Sequence, residues 1–433
     1  TFILRVEDTD LERSTPEAVQ AILDGMHWLG LTPDEGPFYQ MQHMDRYRNE
    51  IANMLAAGTA YHCYSSNEEV EAMRELARSR GLKPRYDGTW RNRDPKQAPP
   101  GVKPVIRFKA PQEGETVIND HAQGRVVIPN KDLDDLIILR SDGNPTYNFC
   151  VAVDDWDMGI PHVIRGDDHI NNTPRQINML RAMGATPPVY AHLPMILGPD
   201  GTKLSKRHGA VSVLEYKNAG FLPEALLNYL GRLGWSHGDQ ELFTIDELIQ
   251  FFDLDAVNKS ASALNPDKLA WTNQQHMMRR GGAELAPRLA SVLAERGVEA
   301  GPVDLAAIAD CLKERSKTLV EMADGAAFFF TDPSSYEAKA AAKNLNRETA
   351  PILARTRAAL AALETPWTAA AVHAALERVV AELGVGLGKV AQPVRVAVAG
   401  GGVSPPIDAT LAILGAGVSL RRIDRAIAHA EAG

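Results

Sequence analysis

The sequence has little cysteine: three residues in 433, Cys63, Cys150 and Cys311, far apart and with no CxxC pair. So sparse and odd a set excludes a disulfide scaffold and fits a reducing, cytoplasmic setting. No run approaches the ~18 apolar residues of a membrane span, and the first residues carry no signal-peptide pattern. Positive charge is not in excess either. Lys and Arg number 46 against 55 Asp and Glu, a net charge of −9, so a nucleic acid could be met only through local patches. Internal repeats and low-complexity linkers are missing. What is present, 45% hydrophobic and 23% charged residues, is an ordinary globular balance that excludes a disordered, collagenous or coiled-coil chain. The length suggests roughly two to four domains.

Residues 2–6, Phe-Ile-Leu-Arg-Val, read as a buried strand with no Met before it, which predicts a central strand preceded by further chain. An acidic loop, Glu7 to Asp10, follows, then a helix opened by Ser14-Thr15-Pro16-Glu17. Residues 30–37 read as a loop, 45–57 as an amphipathic helix, 60–64 as a strand and 66–80 as a capped helix. Between Arg80 and Lys109 nine basic residues face only Asp87 and Asp94, a net charge of +7. Strand-like runs at 104–108, 116–119, 125–129 and 135–140 follow, and the turn Asp142-Gly143-Asn144-Pro145 leads to another at 147–153. Together these predict a small α+β insertion inside a larger α/β domain. A strand at 162–165, a helix from Asn172 to Met183 and a strand at 190–197 precede the loop 198–209, and beyond about residue 220 almost everything reads helical.

Several positions invite chemistry. The loop 198–209 is flanked by glycines and offers Lys203 and Lys206 around Ser205. Mobile ammonium groups can follow a polyphosphate as its charge moves, although a solvated basic turn reads the same way. Glu7 stands at the carboxyl end of a strand, where open α/β sheets bind ligands. A carboxylate there can receive a substrate ammonium or simply face water. Arg165 closes another strand and suits bidentate carboxylate recognition, or an ion pair with Asp167 or Asp168. Tyr147 follows a Pro turn and fits a packed core as well as a site. The basic stretch with Tyr86 and Trp90 suits either a nucleic-acid edge or a solvated surface. Cys63 and His62 lack the further ligands of a zinc site, since Ser65 stands where a second thiolate would help, so no structural zinc is expected.

These pieces, in order, resemble one family. The run Phe2 to Asp10 is similar to the strand-and-acidic-loop signature of bacterial glutamyl-tRNA synthetases. Pro145-Thr146-Tyr147-Asn148-Phe149, Val163-Ile164-Arg165-Gly166-Asp167-Asp168-His169 and Lys203-Leu204-Ser205-Lys206-Arg207 resemble later motifs, the last being the family's form of the KMSKS loop. Leu264 to Trp271 resembles its stem-contact region and Gly388 to Arg395 its C-terminal signature.

The resemblance implies a class I aminoacyl-tRNA synthetase: a Rossmann-type catalytic core (1–60 and 148–200), an inserted acceptor-binding domain (61–147), a KMSKS loop and stem-contact domain (201–282), and an all-α anticodon-binding region (283–433) that could divide near 345–366. It implies ATP with Mg2+, L-glutamate and tRNA-Glu as partners of a cytoplasmic monomer. Lys203 and Lys206 would be catalytic and, with Leu204, Ser205 and Arg207, would bind ATP. Glu7, Tyr147 and Arg165 would hold glutamate. Arg85, Arg91, Arg93, Lys268, Gln392 and Arg395 would contact tRNA. The family's HIGH motif, and an arginine and serine just before it, precede the first residue here, so an N-terminal strand and helix are expected beyond this sequence. The alternative expectation is a tRNA-binding protein without catalysis. A paralogue that glutamylates a modified tRNA base would lack the helical tail, and a glutaminyl-tRNA synthetase would end in a β-barrel.

Overall fold

The computed structural model describes residues 1–9, 14–205, 212–364 and 366–432. Asp10, Lys206, Arg207 and Gly209, all within the motifs above, lie outside the described residues. The chain forms two compact units: Thr1–Leu214 with Leu230–Leu264, and Glu215–Tyr229 with Asn265–Gly433.

The first unit is α/β. Strand Ile3–Val6 runs parallel to strand Glu35–Tyr39, and helix Pro16–Trp28 makes the crossover between them. Thr15 caps that helix by accepting from the Ala18 N–H at 3.3 Å, with Pro16 as the first helical residue. The second strand falls where a loop is expected, because Gly36 and Pro37 read as punctuation. The structure absorbs them as a bulge: Ile3 pairs with Glu35 but Arg5 with Phe38. Gly36 is required there, since its φ is +101° and an added Cβ would meet the Leu4 carbonyl oxygen at 2.4 Å. A second parallel pair, His162–Gly166 with Val189–Leu193, is joined by helix Thr173–Ala182. Two such βαβ units agree with a Rossmann-type core.

The expected strand at 147–153 is instead the helix Tyr147–Asp157. Phe149, Cys150, Val151, Ala152, Val153 and Asp154 are all buried, so no polar face marks the helical period, and an apolar run of that length reads equally as strand. Its Asp154 ties the core together, accepting from the Tyr47 hydroxyl at 2.8 Å and the Gln40 amide at 2.7 Å. The expected strand 190–197 breaks at Pro194 into Val189–Leu193 and Ile196–Leu197; the latter pairs in parallel with Ser262–Ala263.

Between Ala60 and Leu139 lies an antiparallel sheet, Ala60–Cys63, Val105–Phe108 and Ile137–Leu139, with helix Asn67–Ser79 opened by a Ser66/Glu69 capping box. A hairpin, Glu115–Asp120 with Gly124–Pro129, reaches the second parallel pair, where the His121 N–H donates to the Tyr190 carbonyl at 2.9 Å.

Among its described residues from Asn265 on, the second unit contains helices alone, from Pro266–Met278 to Ile407–Ala432, the last interrupted at Gly415. Left-handed Gly384 and Gly400 end two of these helices. The core runs from Leu222 and Ala225 through Leu289, Met322, Leu376 and Val394 to Ala426.

Candidate active site

The site grows from the carboxyl ends of two strands and the first turn of one helix. Strand Ile3–Val6 delivers Glu7. Arg5, two residues earlier, donates through Nη2 to Asp155 at 2.9 Å and to Glu7 at 3.1 Å, so it links the acidic loop to helix Tyr147–Asp157. Burial raises the Asp155 carboxyl above its usual range against the pull of Arg5, and Glu7 adds to the rise.

Tyr147 opens the helix, its hydroxyl 3.5 Å from His169 Nδ1. Burial raises that hydroxyl above its ordinary value, the Glu7 carboxylate reinforces the shift and the Arg165 guanidinium opposes it. Glu7, Tyr147 and Arg165 therefore share one electrostatic neighbourhood, although they lie far apart in sequence.

Arg165 sits in strand His162–Gly166. It forms no ion pair with Asp167 or Asp168. Its Nη2 donates to Thr173 Oγ1 at 2.8 Å, its Nε to His192 Nε2 at 3.3 Å, and its guanidinium lies 5.5 Å from the centre of the Tyr190 ring. An arginine with no carboxylate partner among the described residues is free to meet a ligand carboxylate. Gly166 lets the chain turn sharply after it: a Cβ there would lie 2.7 Å from Asp168 Oδ1.

The loop after Leu197 begins with a tight turn in which the Gly198 N–H donates to the Thr202 carbonyl at 2.7 Å. Lys203 then returns beside Leu197, and the Leu204 N–H reaches the Ile196 carbonyl at 3.2 Å. Lys203 Nζ stands 3.1 Å from Asp168 Oδ2. Leu204 and Ser205 are half-buried.

The residues expected to meet tRNA differ in setting. Arg93 is exposed and lies over Trp90 at 5.0 Å, and Lys268 lies 3.8 Å from the centre of the Trp271 ring. Arg85 is exposed and donates to the Lys131 carbonyl. Arg91 is largely buried, paired with the Asp135 carboxylate and donating to the Ala110 carbonyl at 2.7 Å. Arg91 is thus engaged within this region, while Arg85 and Arg93 are exposed. In the second unit Arg395 donates to Gln392 and to Ser404 at 3.0 Å, and burial, with the nearby charge of Arg315, lowers its affinity for its proton. Cys63 donates to the Tyr86 hydroxyl at 3.5 Å within an apolar cluster of Val70, Tyr86 and Trp90.

Sequence reasoning missed Arg5, Asp120, Asp155, Thr173 and His192. An ionisable residue inside an apolar strand, as with Arg5 and His192, is the one available signal. Nothing in the sequence links Asp120 to His192.

Comparison with known proteins places the chain in a family. Residues 1–271 match the family described as tRNA synthetases class I (E and Q), catalytic domain, and residues 284–427 match the anticodon binding domain. The chain is 61% identical over 433 residues to glutamate–tRNA ligase 1 of Acidithiobacillus ferrooxidans, covering 99% of this chain and 92% of that protein. It is 58% identical over 425 residues to the glutamate–tRNA ligase of Bordetella petrii, covering 98% and 91%. A crystal structure of a glutamate tRNA ligase from Elizabethkingia meningosepticum in complex with its amino acid superposes with a TM-score of 0.86 at 30% identity, over 99% of this chain and 92% of that one. The chain belongs to the class I tRNA synthetases for glutamate and glutamine.

Proposed function

We infer that this chain ligates L-glutamate to tRNA-Glu at the expense of ATP. A carboxylate oxygen of glutamate attacks the α-phosphate of ATP, giving glutamyl-adenylate and releasing pyrophosphate. A hydroxyl of the terminal tRNA ribose then attacks the activated carbonyl, and AMP leaves. The observation that carries this reading is the 61% identity to a glutamate–tRNA ligase over 99% of the chain, with Glu7 just past one strand, Arg165 near the end of another and Tyr147 opening a helix.

Each residue is given a task, Lys206 and Arg207 from their motif alone. The Glu7 carboxylate receives the ammonium of glutamate. Arg165, with no acidic partner among the described residues, clamps a carboxylate of the substrate, with the Tyr147 hydroxyl as a neutral donor. Lys203 and Lys206 follow the phosphates of ATP, which arrives with Mg2+, and Leu204, Ser205 and Arg207 complete that loop. Arg85, Arg93, Lys268, Gln392 and Arg395 supply contacts to tRNA. The setting we propose is a cytoplasmic monomer; among the described residues no helix is long and apolar enough to cross a membrane.

The test is charging of purified tRNA by the full-length protein with labelled glutamate or glutamine. Glutamate should be transferred at least ~10⁴-fold more efficiently, because a site of fixed donors is badly matched to an amide. Equal use of glutamine, or tRNA binding without charging, would overturn the reading.

A further inference from the structure

Behind Arg165 lies a polar chain that no substrate contact requires. Asp120 ends the first strand of the hairpin, and His192 lies in strand Val189–Leu193; their side chains are fully buried. Asp120 Oδ1 accepts three backbone N–H groups, from Ala122 at 3.0 Å, Gln123 at 2.8 Å and His192 at 3.1 Å. Its Oδ2 faces His192 Nδ1 at 2.5 Å. On the far side of the ring, His192 Nε2 lies 2.9 Å from Thr173 Oγ1 and 3.3 Å from Arg165 Nε.

We propose that Asp120 and His192 are positioning residues that orient Arg165 for glutamate by fixing the tautomer of one buried imidazole. The proposal rests on the reading of Arg165 as the carboxylate clamp. Its logic is one of donors and acceptors. An ionised carboxylate can only accept, so Nδ1 must carry the hydrogen. Burial raises the Asp120 carboxyl, but the N–H donors of Gln123 and His192 outweigh it and keep the group ionised. Burial, aided by the charge of Arg165, keeps the imidazole neutral against the pull of Asp120. Nε2 is then bare, and it accepts from Arg165 Nε and from the Thr173 hydroxyl. Thr173 in turn accepts from Arg165 Nη2, and the Tyr190 ring lies under the guanidinium plane. One edge of Arg165, carrying Nε and Nη2, and one face are thereby set before any ligand arrives.

The substitution Asp120→Asn breaks this logic while nearly preserving shape. The amide oxygen must stay at the Oδ1 position, where three N–H groups converge. The amide NH2 then faces Nδ1, which has to accept, and the imidazole proton moves to Nε2. There it opposes the Nε–H of Arg165, and the guanidinium loses its seat.

Asp120→Asn should raise the KM for glutamate by about 10-fold or more, the scale for removing an orienting partner of a site residue. The KM for ATP should stay within about twofold, because Lys203 bonds to Asp168 and not to Asp120, His192, Thr173 or Arg165. Nitrogen-15 NMR of the labelled protein should show His192 protonated on Nδ1 in the parent and on Nε2 in the variant. A parent imidazole protonated on Nε2, or a switched tautomer with an unchanged glutamate KM, would overturn the proposal. If Asp120→Asn does not fold, His192→Gln and His192→Leu decide the matter. Glutamine keeps an acceptor towards Arg165 and should stay within about threefold of the parent, whereas leucine should lose about 10-fold; equal KM values for the two overturn it. Arg165→Ala separates the two levels. An unchanged glutamate KM in that variant sinks the pocket reading itself, whereas a raised KM there beside an unaffected Asp120→Asn sinks only the positioning pair.

Discussion

The Lys203 ammonium rests 3.1 Å from the Asp168 carboxylate, so the basic loop touches the turn that immediately follows Arg165. Both side chains are substantially exposed, 64% and 43%, and the hydrogen bond from Lys203 holds the Asp168 carboxyl below its usual range. A pair this wet is worth at most about 1 kcal/mol. It restrains the lysine without locking it, as the proposed turn towards a phosphate requires.

Lys203→Ala should therefore slow adenylate formation by about 10-fold or more, the loss of one charged donor to the reacting phosphates. Stability should change by no more than about 0.5 kcal/mol. Pyrophosphate exchange and urea unfolding on the same preparation check both. A large fall in stability with unchanged exchange would make the lysine structural.

The two arginines at 91 and 93 should part company. Arg91→Ala leaves the buried Asp135 carboxylate without its cation and should cost about 2–4 kcal/mol of stability. Asp135 keeps the Tyr61 hydroxyl at 2.6 Å and the Ala110 N–H at 3.0 Å, which limits the loss. The exposed pair Arg85→Ala with Arg93→Ala should leave stability nearly unchanged and flatten the salt dependence of tRNA binding by about two phosphate contacts. Titrations at several salt concentrations, set against unfolding curves, give the answer; an unaltered salt slope would make this face merely solvated.

Stability should fall as the pH drops from about 7 to about 5. Burial lowers the proton affinity of His192 and His276 in the folded protein, whereas free imidazoles of the unfolded chain titrate near 6.5. Below that value the unfolded state binds protons that the native state refuses, so unfolding gains as pH falls. Burial raises Asp155, which acts in the opposite sense because the folded state then takes up that proton first as pH falls. Unfolding of the parent and of His192→Gln at pH 7 and 5.5 tests the idea: the fall should be smaller in the variant, and equal falls would count against it.

Motif order made the architecture and the main site legible. Glu7, Tyr147 and Arg165 could be named because each stands beside a turn or at the end of an element, where side chains are released from packing. Periodicity misled at 147–153, where burial on every side erased the helical pattern, and at 35–39, where a bulge disguised a strand. The basic window looked uniform in sequence, yet Arg91 and Arg107 are drawn inward, to Asp135 and its carbonyl. Composition counts charges and is blind to which of them a fold consumes. Asp120 was unreadable for a different reason: its partner is 72 positions away, and short-range pattern carries no trace of such a contact.

The hairpin Glu115–Asp120 with Gly124–Pro129 has a meaning for engineering. By sequence it is peripheral, part of a module that a designer might graft from a relative to change which RNA is recognised. The last residue of its first strand, Asp120, however, holds His192, the imidazole we propose orients Arg165. A chimaera whose donor hairpin lacks an aspartate at the end of its first strand would trade away amino-acid affinity while altering RNA preference, and the two effects would be mistaken for one. Exchange boundaries are safer inside residues 67–99, leaving the hairpin native.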